Sequence, residues 1–223
     1  MAIKLSNVSK DYGESNIKFK DLVFNDNESY VILGPSGCGK STLLNMISGS
    51  LKTTSGNIIV YKNEEKLDIN ALSSKEVLKY RRENIVYVTQ DFKIFENFTV
   101  GDNLNLVREI TGKNEDINRV LQEVGLKEKK KSLVKNLSGG EKQRVIIARA
   151  MLLAGNIILC DEPTASLNYN LAENIIKLII KFHKKSNSTL IVVTHDDRLI
   201  KHFDNVLYRE DIIRGEKSCL NMQ

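Results

Sequence analysis

The stretch that most restricts this chain runs from Tyr30 to Thr42. An apolar run, Tyr30-Val31-Ile32-Leu33, passes directly into Gly34-Pro35-Ser36-Gly37-Cys38-Gly39-Lys40-Ser41-Thr42. The second part fits GxxxxGK[ST], the pattern of a phosphate-binding loop between a strand and a helix. Glycines let the backbone curl with its N–H groups inward, and the N-terminus of the following helix adds partial positive charge at the same place. Lys40 is placed to reach β- and γ-phosphates, and the Ser41 hydroxyl to hold Mg²⁺. The pattern requires a nucleotide phosphate but leaves ATPase, GTPase and kinase open.

A second run narrows the choice. Ile157-Ile158-Leu159-Cys160-Asp161-Glu162 reads as a buried strand ending in two carboxylates. Asp161, at the strand's C-terminal end, is the candidate metal-fixing acid, and Glu162 the candidate for polarising an attacking water. Adjacent carboxylates repel, so a cation beside them compensates.

Around these runs the chain alternates. Strand patterns fall at Ile3 to Val8, Tyr30 to Leu33, Ile58 to Tyr61, Ile85 to Val88, Ile157 to Cys160 and Leu190 to Thr194. Helical patterns follow Lys40 and then cover Lys75 to Arg82, Val100 to Ile110, Glu115 to Val124, Gly140 to Leu153 and Leu171 to Phe182. Late strand-helix alternation with continuously apolar strands predicts an α/β fold with a mostly parallel sheet, and the early segments predict an antiparallel addition. No strand pattern occurs between Asp91 and Asn136, so a helical subdomain inserted over residues 91–145 is expected within a single domain spanning 1–223. The run Lys127 to Lys131 is expected to be a solvated loop.

Composition excludes several classes. With 41% hydrophobic and 27% charged residues and two prolines, the chain is globular rather than disordered. Its apolar stretches, Val145 to Ala154 and Leu190 to Val193, fall short of the about 20 residues a membrane span needs. The N-terminus lacks a secretory pattern, which predicts a cytosolic protein. Cys38, Cys160 and Cys219 have neither metal nor disulfide spacing and are expected as thiols. The net charge of +5 is accounted for by scattered lysine.

Leu137-Ser138-Gly139-Gly140-Glu141-Lys142-Gln143-Arg144 lies between the phosphate loop and the acidic strand. This octapeptide resembles the signature motif of ABC (ATP-binding cassette) ATPases, and the order of the three motifs is that of the family. Gln90 resembles the family's Q-loop glutamine, His195 its switch histidine and Tyr12 its adenine-stacking aromatic. The resemblance implies a RecA-like P-loop NTPase fold that binds ATP and Mg²⁺. It further implies a homodimer in the ATP-bound state, with Ser138, Gly139 and Gly140 of one protomer covering the γ-phosphate held by Lys40 of the other. Glu162 would be the base, His195 would stabilise the γ-phosphate, and Gln90 would sense Mg²⁺ and water. One departure stands out: after Pro163-Thr164 the family usually reads Ser-Ala-Leu-Asp, and here Ala165-Ser166-Leu167-Asn168. Altered coupling between the two sites is expected from it.

The segments Leu72 to Ile85, Gln90-Asp91-Phe92 and Phe98 to Leu104 are similar to the branch of lipoprotein-releasing, macrolide-exporting and antimicrobial-peptide-resistance ATPases. That likeness implies a peripheral protein on the cytosolic side of the membrane that works a transmembrane permease as exporter or mechanotransmission system. A cell-division regulator of the same branch and a solute importer are the alternatives; importers often carry an added C-terminal domain, for which a chain ending at Gln223 is short. No nucleic-acid partner is expected, because neither long heptad arms nor a second cassette is present. Asp91 to Asn103, with Phe92, Ile94, Phe95 and Phe98, is the expected docking groove for the permease.

Overall fold

The computed structural model describes residues 1–62, 65–89, 94–112, 115–153, 155–165 and 167–214. Its centre is a parallel sheet of five strands: β4 (Ser29–Leu33), β7 (Ile85–Thr89), β8 (Ile157–Asp161), β9 (Thr189–Thr194) and β10 (Asn205–Tyr208). Their spatial order is β10-β4-β9-β8-β7, with every pairing parallel. All of β4 and β9 is buried, and β8 is buried up to Asp161. The reason is that both faces are covered, and the residues sort by parity. Ile157, Leu159, Ile191 and Val193 face one apolar cluster, together with helix α1 (Lys40–Ile47) and the antiparallel strands. Ile158, Cys160, Leu190 and Val192 face another, with helices α5 (Gly139–Leu153) and α6 (Tyr169–Ser186).

The antiparallel sheet is built on β1 (Ala2–Asp11), which pairs with β2 (Asn16–Lys18), β3 (Leu22–Phe24) and β5 (Ser55–Lys62); β6 (Glu65–Asp68) extends β5. Helix α2 (Ser74–Asn84) leads into β7 and begins with a reciprocal cap, Ser73 accepting from the Glu76 backbone and Glu76 from that of Ser73. A third apolar cluster is separate from the sheet. It joins α3 (Val100–Thr111) and α4 (Ile117–Glu123) to Val145, Ala148 and Leu152 of α5. A short helix α7 (Arg209–Ile212) is the last helix of the described chain.

The longer strands and helices expected from periodicity all have counterparts here. The strands β2, β3, β6 and β10 are not among the expected ones, because none of them carries the run of four apolar residues that marks β4, β5, β7, β8 and β9. The lysine run is more structured than a free loop. Lys127–Lys129 forms a helical turn, and the carbonyl of Lys130 accepts from Gly101 N, tying the run to the start of α3. Cys38 and Cys160 are free buried thiols; Cys219 lies outside the described residues.

Parallel pairing brings the C-terminal ends of β4, β8 and β9 to one edge. Leu33 is in register with Thr194, and Asp161 with Val193. The residues that follow these strands, Gly34, Glu162 and His195, therefore converge.

Candidate functional site

Beyond Leu33 the backbone turns through Gly34 to Gly39 and enters α1 at Lys40. The turn uses left-handed backbone at Gly37 (φ 76°) and at Gly39 (φ 98°), the residue that caps α1. A side chain at position 39 would be strained and would also meet Ile17 at 3.3 Å. Pro35 and Ser36 are exposed at the rim, whereas Cys38 is buried beneath it. Lys40 is only 5% exposed, and its ammonium donates to the carbonyls of Gly34 (2.6 Å) and Pro35 (3.0 Å). The loop encloses one side of a cavity of about 560 Å³ that also takes in Ser41, Thr42, Asp161 and Glu162.

Asp161 is half-buried. Burial raises its pKa above the usual carboxylate value, and the neighbouring Glu162 charge adds to this, while a hydrogen bond from Ser41 and the Lys40 charge oppose it. A buried acid pushed up in this way gains from a cation. Ser41 and Asp161 are hard oxygen donors of the type Mg²⁺ accepts. No group of three or more His, Cys, Asp or Glu side chains among the described residues makes a metal cage. Ser41 and Asp161 fit an ion that takes a few protein oxygens and completes its shell from phosphate and water.

Glu162 has φ 48°, a left-handed conformation costing a non-glycine residue about 1–3 kcal/mol. Its backbone N–H donates to Val193 O at 3.0 Å, which holds the turn. In this pose its carboxylate lies 3.9 Å from the Lys40 ammonium and 3.0 Å from Nδ1 of His195. The three residues come from the first residue of α1 and from the positions just after β8 and β9.

Tyr12 stands at the cavity mouth, 51% exposed, with its hydroxyl 3.2 Å from Oγ1 of Thr42 and the Lys10 ammonium 5.7 Å from its ring centre. Ser15 and Ile17 line the same mouth. Neither was singled out from the sequence; closeness to Tyr12 was the one signal available.

Ser138, Gly139 and Gly140 do not line this cavity. They start α5 on another part of the same protomer, next to Leu167 and Leu171. Ser138 is exposed, and both its N–H and its hydroxyl donate to one carboxylate oxygen of Glu141 at 2.8 Å. These bonds hold the Glu141 pKa below the usual carboxylate value. Asn168 caps α6, its side-chain oxygen accepting from Leu171 N at 3.1 Å. Gln90, Asp91, Phe92 and Ser166 lie outside the described residues. Phe95 and Phe98 stack at 5.4 Å and remain 48% and 44% exposed, while Ile94 packs against the core.

The family described as ABC transporter matches residues 17–165. The methionine import ATP-binding protein MetN of Clostridioides difficile is 40% identical over 205 residues, covering 89% of this chain and 62% of MetN. The putative ABC transporter ATP-binding protein MG065 of Mycoplasma genitalium is 34% identical over 198 residues, 87% of this chain and 42% of that one. The chain therefore spans less than two thirds of these two relatives. The lipoprotein-releasing system ATP-binding protein LolD of Legionella pneumophila is 35% identical over 196 residues, 86% of this chain and 85% of LolD. Among solved structures, the dimeric post-hydrolysis state of the ATP-binding cassette MJ0796 bound to ADP and Pi superposes with a TM-score of 0.77 at 32% identity, covering 97% and 98% of the two chains. The cbiO1 structure from Clostridium perfringens, part of the ABC transporter complex cbiONQ, gives 0.79 at 27% identity, covering 92% and 83%. With a phosphate loop, an acidic strand end and relatives that cover nearly its whole length, the chain belongs to the ABC transporter family as an ATP-binding domain.

Proposed function

We propose that this chain binds ATP with Mg²⁺ and hydrolyses it, as the ATPase subunit of an ABC system that closes into a dimer around two nucleotides and works a separate transmembrane permease. The observation that carries the reading is the placement of Glu162 between Lys40 and His195 at the edge of the phosphate-loop cavity.

The Lys40 ammonium leaves the carbonyls of Gly34 and Pro35 for the β- and γ-phosphates, with the inward N–H groups of the loop and of α1 beside it. Tyr12 stacks on the adenine, and Ser41 and Asp161 hold the ion. Mg²⁺, when bound, neutralises charge on the phosphate oxygens. Glu162 orients a water in line with the γ-phosphorus and accepts its proton as the water oxygen bonds to phosphorus and the bond to the β–γ bridging oxygen breaks, leaving ADP and phosphate. His195 stays within hydrogen-bond reach of Glu162 and stabilises the γ-phosphate as its charge redistributes. Gln90, outside the described residues, would sense the ion and the water, as the family likeness implies. Ser138, Gly139 and Gly140 present their helix N-terminus to the partner protomer's nucleotide, so neither site is complete without closure.

No helix among the described residues is long and apolar enough to cross a membrane. Coupling to transport would run through the permease. The exposed pair Phe95 and Phe98 is the docking surface for an apolar segment of the permease. The likeness to LolD, which extends over 85% of that protein, favours an exporter or mechanotransmission role on the cytosolic face of the membrane. A second reading, an importer subunit, is favoured by the 40% identity to MetN.

The test is phosphate release by the purified chain with ATP, with and without Mg²⁺, alongside Glu162→Gln. The Glu162→Gln chain with Mg-ATP is then used to capture partners from its native membranes. Mg²⁺-dependent release that is lost in the variant, with a permease recovered, supports the proposal. Activity unaffected by Glu162→Gln refutes the site, and recovery of ribosomes or nucleic acid without a permease refutes the role.

A further inference from the structure

His195 is an exposed side chain, 59% accessible, so close packing does not hold its ring beside Glu162. Its position follows from its backbone. On one side that backbone is fixed by β9, buried through Thr194. On the other it enters the short helical turn Asp197–His202, and this turn is fastened to the first residues of α6.

The fastening is centred on Tyr169, half-buried at the start of α6 directly after Asn168. The guanidinium carbon of Arg198 lies 4.9 Å from the Tyr169 ring centre, and the Lys201 ammonium 5.9 Å. Lys201 also donates to the Tyr169 hydroxyl at 3.1 Å. Arg198 is itself held by two parallel bonds to Asp196, Nε to Oδ1 and Nη2 to Oδ2, both 2.7 Å. Asp196 is the residue after His195, and its Oδ1 also accepts from Arg198 N, capping the turn. One helical turn further along α6, Glu173 takes Lys201 at 2.9 Å and faces Nε2 of His202 at 3.2 Å. Single exposed ion pairs fix little. Here a planar fork, a ring and a shared carboxylate converge on one face, which sets orientation as well as charge.

We propose that Tyr169 and Arg198 are positioning residues that hold His195 against Glu162, so that the segments following β8 and β9 move as one unit. The inference rests on the ATPase reading for its kinetic consequence only. Neither residue lines the phosphate cavity, so ATP binding does not depend on them.

The experiment compares Tyr169→Ala, Tyr169→Phe, Arg198→Ala and Arg198→Lys by NMR of the histidine rings in the ligand-free chain, by kcat and KM for ATP, and by thermal melting. The chain has three histidines. His183, buried on α6 roughly 21 Å along the helix from Tyr169, is the internal reference. The His195 resonances are expected to move in both alanine variants and to stay in Tyr169→Phe, which keeps the ring. In the alanine variants kcat falls about tenfold, with KM changed by less than about twofold. Arg198→Lys does not rescue, because an ammonium cannot make the two parallel bonds to Asp196. Unmoved His195 resonances, or losses of kcat that follow the melting temperature equally in Tyr169→Phe, overturn the proposal. A wild-type chain that hydrolyses no ATP overturns the ATPase reading instead, and the His195 resonances still decide the clamp.

Discussion

Nδ1 of His195 lies 3.0 Å from Oε2 of Glu162, and Glu162 reaches that position through a left-handed backbone at φ 48°. The strain indicates that the carboxylate's direction matters more than its local comfort. Glu162→Gln keeps the shape and a hydrogen-bond acceptor but loses the basicity. Hydrolysis is expected to fall by about 10²–10⁴, with ATP still bound. Phosphate release and equilibrium binding of labelled ATP separate the two effects. A rate near that of the wild type would place water activation elsewhere.

Lys40 is a buried cation whose ammonium donates to the carbonyls of Gly34 and Pro35. Lys40→Ala removes the charge-assisted bonds to phosphate and leaves those two carbonyls without this donor. ATP affinity is expected to drop about a hundredfold by calorimetry, with a smaller loss of thermal stability. If affinity held while only the rate fell, Lys40 would serve the transition state alone.

Asn168 stands where the family usually has aspartate, yet its oxygen is committed within its own protomer, to Leu171 N. Asparagine and aspartate cap helices about equally well, whereas alanine costs about 1 kcal/mol. Asn168→Ala should therefore lower the melting temperature by about 2–4 °C, and Asn168→Asp should leave it nearly unchanged. What the aspartate adds is a charge at the N-terminus of α6. The dependence of ATPase rate on enzyme concentration is expected to differ between the wild type and Asn168→Asp only through that charge. Superimposable curves would remove position 168 from the account of coupling between sites.

Much of the candidate site is legible in the sequence because its residues sit flush against buried strands. Leu33 meets Gly34, Cys160 meets Asp161 and Thr194 meets His195, so apolar run and functional residue are neighbours in the chain as well as in space. What escaped reading depends on contacts between distant segments. Ile17 reaches the cavity from a three-residue strand that carries no periodic signal. The left-handed turn at Glu162 is imposed by its hydrogen bond to Val193, not by its residue type. The meeting of Tyr169 with Arg198 requires the parallel register of β8 and β9, which no local pattern specifies. Aromatic residues near a helix start, such as Phe95 and Phe98, serve a core or a surface equally well, and only their accessibility separates the two.

The cap of α5 carries the last prediction. Glu141 accepts from the N–H and the hydroxyl of Ser138, and these bonds, backbone first, hold its pKa below the usual carboxylate value. The sign follows from the direction of that shift. A depressed carboxylate contributes stability that is present above its unfolded pKa and is lost as pH falls through the folded value. The group is partly exposed at the protein surface, so the contribution is a few tenths of a kcal/mol after screening. At neutral pH Glu141 is therefore a negative charge at the helix N-terminus proposed to meet the partner's γ-phosphate, offset in part by Lys129 at 3.7 Å. Glu141→Gln keeps a residue suited to the reciprocal cap and removes the charge. Two outcomes are expected. The small difference in melting temperature between wild type and variant closes as pH falls through the depressed Glu141 value. At neutral pH the variant forms its ATP-dependent dimer at a protein concentration about two- to tenfold lower, with a weaker response to salt. Sedimentation at several salt concentrations measures the second. A variant that dimerises less readily would mean that Glu141 assists closure, by ordering Ser138, more than its charge opposes it.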